Sequence, residues 1–177
     1  MNSFSSDGKI QLRPFRTQDQ IIIENWPAYP PEFAELDYAL RKDGWIAEFH
    51  GQPDTWLYAA VQSGELIAFA IIFLTGQDEA EFRIALRPDK VGQDLGQIVT
   101  AKTLAIGFDE IGLKRIYLIV RINNLRAIRL YQQQNFSHCG ECQMTVNNIP
   151  TDFLMMELLR KDFIEPSCIS KLTSRNI

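Results

Sequence analysis

Arg87-Pro88 closes an apolar run, Gly92 and Gly96 follow four residues apart, and a helical period begins at Leu95. A strand, a short glycine loop and a helix in that order present backbone N–H groups at a helix N-terminus, and such a terminus is an anion site. The glycines match neither G-x-G-x-x-G nor a loop ending in Gly-Lys-Ser/Thr, so nucleotide binding of those two types is disfavoured. A second arrangement, Cys139-Gly140-Glu141-Cys142 beside His138, invites a metal or redox reading. Zinc wants four ligands and no second pair appears, while a redox C-x-x-C belongs at a helix start rather than in a strand, so no metal is expected. His50 stands alone and is expected at the surface.

The elements that must position these residues follow from periodicity. Residues 10–15 alternate as a half-buried strand does, and Thr17 with Gln20 has the spacing of a capping box. Between Trp26 and Trp56 the period weakens into a helical stretch near residues 33–40 and an aromatic series including Tyr38, Trp45 and Phe49, which reads as helices and loop lining something. Residues 56–61 and 66–74 are strands joined by Gln62-Ser63-Gly64-Glu65, a turn that closes a hairpin. A third strand over residues 80–86 ends at Pro88, which lacks a ladder donor. Ile98, Ala101, Ala105 and Phe108 give a helix over residues 95–111, stopped by Gly112. A buried strand over 116–122, a helix over 125–134, and two strands over 136–146 and 152–158 across the turn Asn147-Asn148-Ile149-Pro150 complete the series.

At 177 residues the chain fits one domain: a solvated lead-in over 1–9, a domain over 10–165 and a loose tail over 166–177. With 46% hydrophobic and 23% charged residues it has a globular composition. No apolar run reaches the roughly 18 residues of a membrane span, and no secretory leader opens it, so the expected place is the cytoplasm. A net charge of -4, with its 18 Lys and Arg scattered, makes nucleic acid an unsuitable partner. Three cysteines without signs of export fit free thiols.

From Ile116 to Phe136 the sequence IYLIVRINNLRAIRLYQQQNF resembles the strand and helix of the GNAT superfamily of acyl-CoA N-acyltransferases, whose pattern there is N-x-x-A-x-x-L-Y-x-x-x-G-F. Asn124, Ala127, Leu130, Tyr131 and Phe136 match it, and the glycine loop stands upstream at the family's separation. The resemblance covers roughly residues 10–159. It implies an α/β (α+β) fold: a mixed, mostly antiparallel sheet of six to seven strands, flanked by about four helices and splayed at an acetyl-CoA site. The loop departs from the family's Q/R-x-x-G-x-G/A at Val91 and Asp94, and Asn135 replaces the glycine before Phe136. Asparagine tolerates the left-handed conformation that a helix end requires.

The resemblance also implies roles. Ile84 and Leu86 would offer backbone groups to the pantetheine arm and the thioester carbonyl. Val91, Gly92, Gln93, Asp94, Leu95, Gly96 and Gln97 would hold the pyrophosphate. Asn124 would contact the cofactor arm, and Tyr131 would protonate the departing thiolate, a phenol with a pKa near 10 being protonated at neutral pH. The position where a related branch carries a glutamate base is Ile119, so Glu81, or else Glu79, is assigned as base. In the segment where the family builds its acceptor pocket, seven acids from Glu24 to Asp54 face two bases, Arg41 and Lys42, with Trp26, Tyr29, Tyr38 and Trp45 as candidate apolar or cation-binding walls. The expectation is acetyl transfer to a small cationic amine. A peptide amine and a non-catalytic acyl-CoA-binding module are the alternatives, and a homodimer is carried as an assembly to test.

Overall fold

The computed structural model describes residues 8–164, so most of the lead-in and the whole tail read from the sequence lie outside the described residues. Seven strands form one sheet in the order β1-β2-β3-β4-β5-β7-β6, with four α-helices, the mixed architecture expected. Those strands are β1 (Gln11–Pro14), β2 (Thr55–Gln62), β3 (Glu65–Leu74), β4 (Glu79–Leu86), β5 (Arg115–Arg121), β6 (Ser137–Val146) and β7 (Ile149–Leu159). The helices are α1 (Thr17–Glu24), α2 (Trp45–Phe49), α3 (Leu95–Ala105) and α4 (Leu125–Gln133). Pairing is antiparallel for β1 with β2, β2 with β3, β5 with β7 and β6 with β7. β4 and β5 run parallel, in a ladder of three residue pairs that extends from Glu79↔Arg115 to Glu81↔Tyr117. The chain divides into two compact units, one running to Phe73 and including Arg83–Thr103, the other comprising Leu74–Phe82 and the residues from Leu104 onward.

In the first unit β3 is buried on both faces from Leu66 to Ile72, which is why its sequence is a continuous apolar run and not an alternating one. Phe69, Ile71 and Ala59 of this hairpin join Ile23, Leu40, Ile46 and Phe49 in one core. Ser63 and Gly64, with φ of 50° and 82°, make the two-residue turn between β2 and β3, whose twist suits a hairpin. The cap of α1 differs from the Thr17–Gln20 expectation. Asp19 performs it, accepting the Arg16 N–H at 2.7 Å while holding the Arg13 guanidinium through two bonds of 2.7 Å. Its carboxylate is nearly sealed from water, which no capping pattern signals. The stretch over Pro31–Leu40 is a 3₁₀ helix that opens on proline.

Of the residues whose spacing predicts this helix, Phe108 is buried, Ala101 and Ala105 are half-buried and Ile98 is exposed; the buried stripe is Leu95, Gly96, Val99, Thr100, Thr103, Leu104, Gly107 and Phe108. Thr103 escapes a hydrophobic count because it is polar, yet its hydroxyl donates to the Val99 carbonyl at 2.8 Å and is thereby satisfied in the interior. The helix closes with a π turn over Ile106–Ile111, and Gly112 stops it at φ 84°, as its position suggested.

In the second unit β5 alternates cleanly, burying Ile116, Leu118 and Val120. Asn135 sits in the left-handed region at φ 66°, and the Phe136 N–H returns to the Tyr131 carbonyl at 3.0 Å, closing α4. The last hairpin turns on Asn147 and Asn148 alone, at φ 51° and 62°. Ile149 and Pro150 belong to β7, because two asparagines tolerant of positive φ suffice for the turn. β6 carries a bulge between His138 and Gly140.

Candidate active site

The end of β4 and the loop after it are built within the first unit. The Tyr29 hydroxyl donates to the Leu86 carbonyl at 2.8 Å, the Arg87 N–H bonds the Ile67 carbonyl at 2.8 Å, and the Arg87 guanidinium clamps Asp89 at 2.7 Å and Glu65 at 3.2 Å. The strand therefore arrives at the loop with a fixed direction. A 3₁₀ turn over Pro88–Lys90 follows, Val91 packs on the core, and Gly92 and Asp94 both take left-handed backbone, at φ 86° and 58°. α3 then begins at Leu95, with Leu95 and Gly96 buried and Gly92, Gln93 and Asp94 exposed. Asp94 adopts the backbone that glycine adopts most easily, and its carbonyl receives the Gln97 N–H at 3.2 Å. The first-turn N–H groups of a helix have no partner in a preceding turn, and of these the Gln97 N–H is already taken by the Asp94 carbonyl.

The second unit holds the other candidates. Tyr131 is buried, edge-on to Phe82 at 6.5 Å and beside Phe136 at 5.7 Å. Burial alone pushes its phenol pKa well above the ordinary value. A tyrosine so placed holds its proton at neutral pH. Asn124 caps α4, its side-chain oxygen accepting the Ala127 N–H at 3.2 Å. The carboxamide nitrogen is the part of Asn124 that could still reach a ligand. Of the two glutamates assigned as base, Glu79 is held by Arg115 at 2.9 Å, and Arg115 also grips Glu157 at 2.6 Å. Glu81 is buried, 8% exposed, and paired in register with Tyr117.

The acid-rich segment divides between two places. A cavity of about 370 Å³ is lined by Trp26, Glu24 and Asp37 but also by Arg41 and Lys42, and Asp37 pairs with Arg41 at 3.4 Å. The acid excess of the segment is therefore cancelled there. Tyr29 is no wall of that cavity; it is buried in the core with its hydroxyl on Leu86, and burial raises its phenol pKa sharply. The aromatic series converges instead around Arg83 of β4. Its guanidinium lies 5.3 Å from the ring centre of Trp45, 4.7 Å from Phe49 and 5.4 Å from Phe73, and 3.6 Å from the Glu48 carboxylate. Sequence reasoning missed Arg83; the available signal was a lone cation within a strand otherwise carrying acids and apolar residues.

His50 is exposed and meets Phe15 edge-on at 5.3 Å. Cys139 and Cys142 are free thiols, and among the described residues no cluster of three or more His, Cys, Asp or Glu could hold a metal. Among the same residues no helix is long and apolar enough to cross a membrane.

Comparison with known proteins joins these observations. A spermidine N(1)-acetyltransferase of Vibrio cholerae is 27% identical over 90 residues, which is 50% of this chain and 52% of that protein, so the match spans about half the relative's length. The crystal structure of spermidine N-acetyltransferase from Vibrio cholerae in complex with CoA and spermine superposes with a TM-score of 0.72 at 19% identity, covering 86% of this chain and 96% of that one. A dodecameric structure of spermidine N-acetyltransferase from the same organism gives 0.67 at 20% identity, over 86% and 94% of the two chains. At such identities the structures speak for the fold. The sequence profile of the acetyltransferase (GNAT) family matches residues 19–136, well over half of the chain, and with the α4 motif and the sheet described above it follows that this chain belongs to that family.

Proposed function

We propose that the chain moves an acetyl group from acetyl-CoA to a primary amine of a small cationic acceptor, by direct attack on the thioester. The observation that carries this reading is Tyr131, a buried phenol kept protonated by its surroundings, on the helix that bears the family motif. Glu81 takes a proton from the acceptor's ammonium group, directly or through water. The amine nitrogen then attacks the carbonyl carbon, the carbon–sulfur bond breaks as Tyr131 gives its proton to the CoA thiolate, and the second proton that the nitrogen sheds as the amide forms restores the Tyr131 phenol. Backbone groups at Ile84 and Leu86 polarise the thioester and hold the pantetheine arm, and the loop from Val91 to Gln97 with the α3 N-terminus binds the pyrophosphate. The cationic acceptor is supported by the spermidine-acetylating relatives.

Calorimetry with acetyl-CoA followed by thiol release against spermidine, spermine, an amino sugar, an amino acid and a peptide N-terminus tests it. Turnover highest on the polyamines is expected. A preference for the peptide would replace the small-amine reading, and acetyl-CoA binding without turnover on any amine would favour the binding-module reading, which Val91 and Asp94 motivate. Asp94→Gly is expected to tighten acetyl-CoA by roughly five-fold, the equivalent of about 1 kcal/mol for one solvated like charge near a phosphate. The same variant should raise thermal stability slightly, because glycine takes φ 58° at little steric cost. Unchanged affinity would place the carboxylate away from the phosphates.

A further inference from the structure

Arg83 sits in a box built entirely within the first unit. Three ring faces, from Trp45, Phe49 and Phe73, surround its guanidinium at 4.7 to 5.4 Å, and Glu48 supplies the counter-charge at 3.6 Å. Tyr38 reinforces this wall, with its ring T-shaped against Trp45 at 6.2 Å and its hydroxyl 3.4 Å from the Glu48 carboxylate. Phe49 and Phe73 lie 4.6 Å apart, so the box is a packed surface and not a chance approach of one ring. Aromatic faces plus one carboxylate are the chemistry that receives an ammonium or guanidinium group. The 370 Å³ cavity near Trp26 lacks that character, since its acids are matched by Arg41 and Lys42. Within the acid-rich segment, then, the place best built for a cation already contains one, supplied from β4 three residues before Leu86.

We propose that Arg83 is a specificity-determining residue: its guanidinium occupies the receptor that the Trp45–Glu48–Phe49–Phe73 box would otherwise offer to a cationic head of the acceptor, and so limits how strongly the protein holds polycationic amines. The inference rests on the reading of a cationic acceptor given above. An acceptor with one charge near its reacting nitrogen leaves Arg83 in place, whereas a polyamine with a second ammonium must compete with it. The Arg83 side chain is 15% exposed, so the ring faces act at a partly sealed site, whereas the Glu48 carboxylate, 47% exposed, is screened by water and contributes less.

Two measurements test this. In thiol-release kinetics, Arg83→Gln is expected to lower KM for spermidine about ten-fold, the scale of one cation–π site regained, with kcat and acetyl-CoA affinity near their original values. An unchanged or raised KM, with acetyl-CoA binding retained, would overturn the proposal. The second measurement does not need turnover. Arg83→Ala leaves a guanidinium-shaped gap, and ethylguanidinium in the millimolar range is expected to raise the melting temperature of this variant and not of the original protein. Absence of that rescue would show that the box is not a cation receptor. If the alanine variant does not fold, the Arg83→Gln protein takes its place in the same experiment. Should rescue occur while no cationic amine is acetylated by any variant, the receptor stands and the acceptor reading falls, so the two failures are distinguishable.

Discussion

Tyr131→Phe is expected to lower kcat by about a hundred- to ten-thousand-fold, the usual contribution of a positioned general acid, while acetyl-CoA binds as before. The change removes one oxygen and keeps the ring, so the packing against Phe82 and Phe136 survives and the protein should fold. A fall in kcat and kcat/KM together would mean that an interaction made only in the transition state has been lost. The pH profile provides an independent readout. Burial raises the phenol pKa in the folded protein, so Tyr131 keeps its proton beyond the ordinary value of about 10, and no alkaline fall in kcat below that point should arise from it. The linked stability has the same sign: it is full below the unfolded phenol's pKa and declines as the pH climbs above it. A Tyr131→Phe protein with undiminished thiol release would remove Tyr131 from the mechanism.

Asp19→Asn carries the largest expected effect on stability. The carboxylate is 2% exposed and answers three donors, two on Arg13 and the Arg16 N–H. The variant leaves the Arg13 cation without its partner and places an amide where an acceptor is required. Breaking a buried pair in this way costs about 3 to 5 kcal/mol; with Arg13 partly exposed, a loss of about 2 to 3 kcal/mol is expected in urea unfolding. The hydrogen bonds from Arg13, followed by the Arg16 N–H, hold the Asp19 pKa below the ordinary carboxyl value against the opposing pull of burial. Its contribution is therefore present above the unfolded carboxyl's pKa of about 4 and is lost as the pH falls through the lower folded value. The original protein and Asp19→Asn should converge in stability at acid pH. A constant gap down to pH 2 would mean that the loss has another source.

The contrast between these two residues explains how much could be read in advance. Tyr131 stands in a local pattern, Asn124 to Phe136, whose spacing is fixed by one helix and its two caps, and such patterns are written contiguously. The strands were legible for a related reason: alternation in β5 and an unbroken apolar run in β3 each reflect burial of one or both faces. Asp19 and Arg83 depend on partners from other elements. Arg13 lies across the turn from β1 to α1, and the rings around Arg83 come from α2 and β3. Nothing in the immediate neighbourhood of Arg83 announces them. Tyr29 belongs to the same class, because its hydroxyl partner, Leu86, is 57 residues away. On α3 the error had a different origin: a count by residue type credits Ile98 and ignores Thr103, although the threonine hydroxyl is satisfied by its own helix. At the final hairpin, a proline beside two asparagines lengthened the expected turn, whereas the asparagines alone supply both positive φ angles.

The tryptophans are distributed unevenly. Trp26, Trp45 and Trp56 all precede Phe73, within the first compact unit, and the second unit has none among its described residues. Intrinsic indole fluorescence consequently reports on one unit alone, while far-ultraviolet circular dichroism sums over both. Coincident denaturation curves from the two signals would mean that the units melt as one cooperative block, and a fluorescence midpoint displaced from the dichroic one would resolve two transitions in an unlabelled protein.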